Sequence, residues 1–189
     1  MFVRLACELT KDSIVDGEGL RTVIWAQGCS HNCRGCHNKS THDFNKGILR
    51  NVDDIIDEIK ALRLQKGITL SGGDPFFQPK PFIKIAKAAK SMNLDVWAYT
   101  GFKMEDFLYK NIDNKEDILN LLNYIDILVD GKYEDDKRSI ELSFRGSYNQ
   151  RIIDVKKTIK NNNIAIYDKY INEHIGFENK NNQFMNLAL

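Results

Sequence analysis

Apolar residues along this chain come in short runs, and the period of the runs alternates. Thr22-Val23-Ile24-Trp25-Ala26 is β-branched and apolar and predicts a buried strand. Residues 52–64 place apolar side chains at Val52, Ile55, Ile56, Ile59 and Leu62, which is helical spacing, with cap chemistry from Asn51 and Asp53. Gly67-Ile68-Thr69-Leu70 predicts a second strand, stopped by Ser71-Gly72-Gly73-Asp74-Pro75. Residues 81–92 follow as a helix with Pro81 in its first turn, where a missing N–H costs little. A third strand over 94–99 ends at Thr100-Gly101, helical pieces cover 104–108 and 115–122, and a fourth strand over 125–129 ends at Asp130-Gly131. Residues 151–155 suggest a fifth strand.

Strands alternating with helices imply βαβ units, right-handed crossovers and a mostly parallel sheet. In such sheets chemistry gathers at the carboxyl ends of the strands. The unusual motifs all fall there: a cysteine loop after the first strand, Gly-Gly-Asp after the second, Thr100-Gly101 after the third and Asp130-Gly131-Lys132 after the fourth. The units are too few for an eight-fold barrel. The expected fold class is α/β, a partial, open parallel β/α barrel. One domain over 1–155 is expected, with 156–189, rich in Asn and Lys, as a surface extension.

Charge excludes rather than selects. The 189 residues carry 27 basic and 26 acidic side chains, a net charge of +1, which gives no reason to expect nucleic acid or an anionic membrane as partner. Arg4 and Glu8 interrupt the start of the chain, so no signal peptide is expected, and no run approaches the ~18 apolar residues of a membrane span. A cytoplasmic protein is the expectation.

Three of the four cysteines sit in Gly28-Cys29-Ser30-His31-Asn32-Cys33-Arg34-Gly35-Cys36-His37-Asn38, spaced C-x3-C-x2-C, with no fourth cysteine nearby. Three explanations stand. One is a structural Cys3His zinc site using His31 or His37. Another is buried, unligated thiols, against which the polar neighbours argue. The third is a 4Fe–4S cluster with three ligated irons and one open iron, and the close spacing favours it. Cys7 lies apart and reads by default as a buried thiol. Four cysteines grouped as three and one do not form a disulfide framework.

This motif after the first strand resembles the cluster motif of radical S-adenosylmethionine enzymes. Asp16-Gly17-Glu18-Gly19-Leu20-Arg21-Thr22 is similar to a segment of glycyl-radical-enzyme activases. Gly35-Cys36-His37-Asn38-Lys39-Ser40-Thr41, Leu70-Ser71-Gly72-Gly73-Asp74-Pro75, the segment 126–133 and Phe144-Arg145-Gly146-Ser147-Tyr148-Asn149-Gln150-Arg151 together resemble the activating proteins of anaerobic (class III) ribonucleotide reductases. The resemblance covers about residues 1–155.

The resemblance implies that Cys29, Cys33 and Cys36 bind the cluster and that its open iron chelates S-adenosylmethionine. One electron then cleaves a carbon–sulfur bond, and the 5′-deoxyadenosyl radical takes a hydrogen atom from a glycine in the large reductase subunit. A reduced flavodoxin is the implied electron donor. Gly72 and Gly73 would admit the methionine part and Asp74 its ammonium. Asp130 would meet ribose hydroxyls and Lys132 the carboxylate, with an ordinary charged turn as their alternative. Thr100 is a weaker candidate, and Gly35, Cys36 and His37 lie toward the adenine end. Trp25, Trp97, Phe76 and Phe77 read as core or pocket wall. Competing functions are an activase of another glycyl-radical enzyme such as pyruvate formate-lyase, a small radical enzyme such as a deazaguanine synthase, and a zinc-stabilised module without catalysis. No general acid or base is expected.

Overall fold

Four parallel strands form the centre of the sheet. The computed structural model of the chain describes residues 1–171. In chain order the elements are β1 (Phe2–Leu5), β2 (Thr10–Ser13), β3 (Arg21–Ala26), β4 (Ile48–Asn51), α1 (Val52–Lys60), β5 (Gly67–Gly72), α2 (Pro79–Ser91), β6 (Asp95–Tyr99), α3 (Met104–Tyr109), α4 (Lys115–Leu122), β7 (Ile127–Asp130), β8 (Arg151–Asp154) and α5 (Val155–Asn161). The eight strands form one open sheet in the order β4-β1-β3-β5-β6-β7-β8, with β2 also paired to β3. Pairs β3–β5, β5–β6 and β6–β7 are parallel, and all others are antiparallel. The fold is α/β and its sheet is open, as expected, but the expectation of a mostly parallel sheet is corrected at both edges, where the pairing is antiparallel.

Local sequence explains the elements. Asn51 caps α1 by accepting from the Asp53 N–H, Asp53 and Asp54 sit in its first turn and Lys60 in its last, each matching the helix dipole. The helix ends at Lys60, so the periodicity that ran to residue 64 overshoots, and Leu64 is exposed. Helix α2 starts at Pro79, two residues earlier than the pattern predicted, and buries Phe82, Ile85, Ala86 and Ala89 on one stripe. Strands β1, β2 and β4 lie outside the predicted elements, and β2, Thr-Lys-Asp-Ser, carries no apolar pattern.

Alternate residues of one strand enter two different cores, which places the cores on opposite faces of the sheet. Val96, Ala98, Leu128 and Ile153 join the larger core with the helices, including Ile55, Phe82 and Phe107. Trp97, Ile127, Val129 and Ile152 face the other side and meet Phe144, Tyr167 and Tyr170. This second core also takes in side chains beyond residue 155. Helix α5 follows β8 directly, Ile166 bridges to Ile153, and the buried Tyr170 donates to Glu18 at 3.0 Å. Residues up to 171 are thus packed on the domain, and the rest of the predicted extension lies outside the described residues. Among the described residues no helix is long and apolar enough to cross a membrane.

Arg21 holds the amino ends of three parallel strands together. It is fully buried at the start of β3. Its Nε donates to Thr69 Oγ1 at 2.8 Å, Nη1 to the Glu18 carbonyl at 2.9 Å and Nη2 to the Ile68 carbonyl at 2.6 Å. Nη2 also lies 2.5 Å from Asp95 Oδ1, and the guanidinium stacks 5.5 Å from the Trp97 ring centroid. Removing one member of a buried ion pair costs about 3–5 kcal/mol. Arg21→Met is expected to destabilise by about 3 kcal/mol, the low end of that range, because Asp95 keeps some solvent contact. A urea-unfolding midpoint unchanged from wild type would remove Arg21 from this role.

Candidate metal centre

The cysteine loop leaves the carboxyl end of β3 and is closed at its root by main-chain contacts. Gly28 N–H donates to the Thr41 carbonyl at 2.7 Å, and Cys29 N–H to the His42 carbonyl at 3.1 Å. The buried Gln27 side chain donates to the carbonyls of Ser40 and Asp43, so the outgoing and returning strands of the loop are clasped. Nothing in the sequence pattern marked Gln27.

The loop rests on the end of β5. Gly73 N–H donates to the Ala26 carbonyl at 2.7 Å and Asp74 N–H to the Gly28 carbonyl at 3.0 Å. A Cβ at Gly73 would stand 2.4 Å from the Gly28 oxygen. Gly28 has φ 104°, and a Cβ there would stand 2.4 Å from the Phe44 ring. The room at Gly73 is therefore filled by the cysteine loop itself, and Gly72 lies likewise against the Ala26 backbone. Their small size serves the contact between loop and strand.

All four cysteines are free: Cys29, Cys33 and Cys36 are half-buried, and Cys7 is exposed, which corrects the buried thiol expected there. Each thiol of the triad has a polar neighbour that can favour its thiolate. The His31 backbone N–H serves Cys29, the Tyr133 backbone N–H serves Cys33, and His42 Nε2 lies 3.3 Å from Cys36 Sγ. Burial pushes the Cys29 thiol up to about 11, partly offset by the His31 N–H and reinforced by the nearby Asp74 carboxylate. Burial also pushes the Cys33 thiol up. The Cys29 and Cys33 thiolates are thus disfavoured here without a cation, and a bound metal would reverse that balance. Among the described residues no three His, Cys, Asp or Glu side chains converge on a single-ion site. A cubane asks for something else, since each thiolate ligates a different iron. Three free thiols on one loop, each with an N–H or imidazole contact, fit that donor requirement.

The remaining predicted residues separate into two groups. Asp74 is fully buried: its Oδ1 accepts from Phe76 N–H, and its Oδ2 from Thr100 Oγ1 at 2.8 Å and Gly101 N–H at 3.0 Å. His31 Nε2 also lies 2.9 Å from Oδ2, with its ring against Phe77 and Phe102. Thr100 therefore supports Asp74 from within. Asp130 is buried as well, and its carboxylate is taken by Arg151 Nε and Nη2 and by Met104 N–H. It faces into the fold, where the sequence suggested ribose hydroxyls, because Arg151 and the start of α3 claim both oxygens. The rim residues differ. Lys132 and Cys33 line a cleft of about 580 Å³ with Tyr133 and Glu134. His37 lines a second, of about 550 Å³, with Trp25, Ser71, Tyr99 and Phe144. Both volumes suit a small-molecule ligand. Gly35 packs closely on Asp135 and Tyr133, whose atoms a Cβ there would meet. Trp25 and Phe77 are pocket wall, while Trp97 and Phe76 are core. His42 and Tyr133 were missed, and their only signal was nearness in sequence to the loop or to a strand end.

An open α/β sheet with a three-thiol loop at its carboxyl edge defines the class, and the comparisons agree. Residues 15–153 match the family model described as a 4Fe-4S single cluster domain. An anaerobic ribonucleoside-triphosphate reductase-activating protein of Pasteurella multocida is 36% identical over 148 residues, covering 74% of this chain and 90% of that one. Its namesakes in Enterobacteria phage T4 and Escherichia coli K12 are 35% and 34% identical, covering 73% and 72% of this chain and 86% and 90% of theirs. The chain belongs to the family of anaerobic ribonucleoside-triphosphate reductase-activating proteins.

Arg151 also spans to Glu105, at 2.8 and 2.6 Å. Those hydrogen bonds hold the Glu105 carboxyl at about 2, below its ordinary 4.5. A depressed carboxyl stabilises the fold above its unfolded value and loses that contribution as pH falls toward the folded one. Stability is expected to drop between about pH 4.5 and 2, and Glu105→Gln to flatten this limb. Urea midpoints across that range check it. Parallel curves for the two proteins would contradict it.

Proposed function

We propose that this protein is a radical S-adenosylmethionine activase of an anaerobic ribonucleoside-triphosphate reductase. The observation that carries the reading is the loop bearing Cys29, Cys33 and Cys36, closed onto the end of β5 beside two clefts. The family membership supports the same reading. Cys29, Cys33 and Cys36 would hold a 4Fe–4S cluster there, which would supply the one-electron chemistry for reductive cleavage of S-adenosylmethionine, with a glycine of the reductase as the target of activation.

This chain's residues then hold and shield. The three thiols ligate, and the N–H groups of His31 and Tyr133 orient two of them. His37 and Lys132 stand on the cleft rims to meet the cofactor's polar groups, while Gly72 seats the loop against the Ala26 backbone and Gly35 packs against Asp135 and Tyr133. Asp74, backed by Thr100, meets an ammonium only by exchanging its His31 partner. Asp130 acts at one remove, by fixing Arg151 and the start of α3. The reductase would present its glycine segment to the sheet face lined by Trp25, Tyr99 and Phe144, and a flavodoxin-like protein would deliver the electron to the exposed side of the loop.

The zinc alternative needs His31 or His37 as fourth ligand. His31 is engaged with Asp74, and His37 lies against Tyr133, 5.5 Å between ring centroids. After anaerobic reconstitution, the wild-type protein is expected to bind about four irons and to release 5′-deoxyadenosine with a strong reductant. Cys33→Ala should lower that release by at least a hundredfold. A colourless protein carrying one zinc per chain would sink the proposal. Absence of a glycyl-radical EPR doublet with the matching reductase would remove only the partner.

A further inference from the structure

The three sulfurs of the loop are not served alike. Cys29 and Cys33 receive backbone N–H groups, of His31 and Tyr133, which any side chain at those positions would supply. The contact to Cys36 comes from a side chain, His42 Nε2, at 3.3 Å. A sulfur bound to iron carries no proton and can only accept. The proton of this contact must then sit on Nε2, which assigns the His42 tautomer for the loaded site.

The ring is placed by its own backbone. His42 N–H donates to the Lys39 carbonyl, closing the 3₁₀ turn Lys39–Thr41, and its carbonyl accepts from Cys29 N–H. His42 therefore touches both ends of the triad, its main chain at Cys29 and its imidazole at Cys36. Replacing the ring leaves the main-chain clasp in place, so loop closure and sulfur contact are separable by mutation.

We propose that His42 is a positioning residue that donates a hydrogen bond to the Cys36 sulfur and raises the reduction potential of the cluster held there. It rests on the cluster reading above. The physical basis is a difference between two redox states. One-electron reduction adds a negative charge that spreads partly onto the ligating sulfurs. A fixed N–H donor stabilises that charged state more than the oxidised one, as hydrogen bonds to sulfur do in tuning iron–sulfur potentials. A site that must take an electron from a donor protein gains from this, because the fraction reduced at a given potential rises.

The test compares wild type, His42→Phe and His42→Gln after anaerobic reconstitution. Dithionite titration with redox mediators is followed by EPR of the reduced cluster, and iron is counted separately. Phe keeps ring bulk without a donor, and Gln restores an N–H. His42→Phe is expected to hold iron as wild type does and to need about tenfold more reducing drive, a shift of ~59 mV to lower potential for a one-electron couple. His42→Gln should recover most of that shift. Equal potentials in all three proteins, with clusters intact, would overturn the proposal. Loss of iron in both variants would overturn it too, since the ring would then be required to hold the loop. Loss in His42→Phe alone, with His42→Gln near the wild-type potential, would support the donor role. A wild-type protein without iron would instead defeat the cluster reading.

Discussion

The Gly28 carbonyl and the Asp74 N–H, 3.0 Å apart, tie the root of the cysteine loop to the end of β5, and the other contacts of the site presuppose that tie. A single hydrogen bond contributes only about 0.5–1.5 kcal/mol net. Its weight here is steric. A side chain at Gly73 would meet the Gly28 oxygen at 2.4 Å, so any Cβ there lifts the loop from the strand. Lifting it would separate His31 from Asp74 and leave a buried carboxylate short of a partner. Two glycines thus fix the height at which three thiols stand above the sheet.

The two ends of the parallel strands carry different burdens. At the amino ends lies Arg21, buried and shared among Glu18, Ile68, Thr69 and Asp95. At the carboxyl ends lie the cysteine loop, Asp74 and Asp130. The segment Asp16-Gly17-Glu18-Gly19-Leu20-Arg21-Thr22 resembles a family signature, yet its arginine and glycines sit at the structural end. A Cβ at Gly17 would lie 2.8 Å from the Trp97 ring, and Glu18 receives the Tyr170 hydroxyl. This matches the division in α/β folds between a stabilising end and a reactive one. A specific motif is therefore no guide to whether its residues touch a ligand.

Legibility in the sequence followed the range of the forces involved. The four parallel strands and helices α1, α2 and α4 were readable because period and capping are local. Strands β1, β2 and β4 were not, because β2 is polar and what fixes it is its pairing with β3, including the Trp25 Nε1 donation to Thr10 Oγ1. The cysteines were plain, as was the register of motifs at strand ends. What stayed hidden was direction. Asp130 and Lys132 are two residues apart, yet one carboxylate is claimed by Arg151, twenty-one positions on, while the lysine faces a cleft. The segment after residue 155 looked like a polar extension because Tyr167 and Tyr170 find their core only through the distant Phe144 and Trp97.

Geometry and charge are supplied by different agents at the loop. Its closure uses Gln27, Thr41 and the His42 carbonyl, none of which is a thiol. The domain beneath it rests on two apolar cores and a buried arginine. Small zinc modules behave otherwise, since metal binding there is the folding energy and the apo form unfolds. The loop takes its shape from its main-chain clasp, while burial and the Asp74 carboxylate push the Cys29 thiol up. A cationic centre removes that penalty without having to build the fold. The clasp positions the loop without supplying charge, so a cluster ligated by Cys29, as proposed above, would displace the proton that burial favours there.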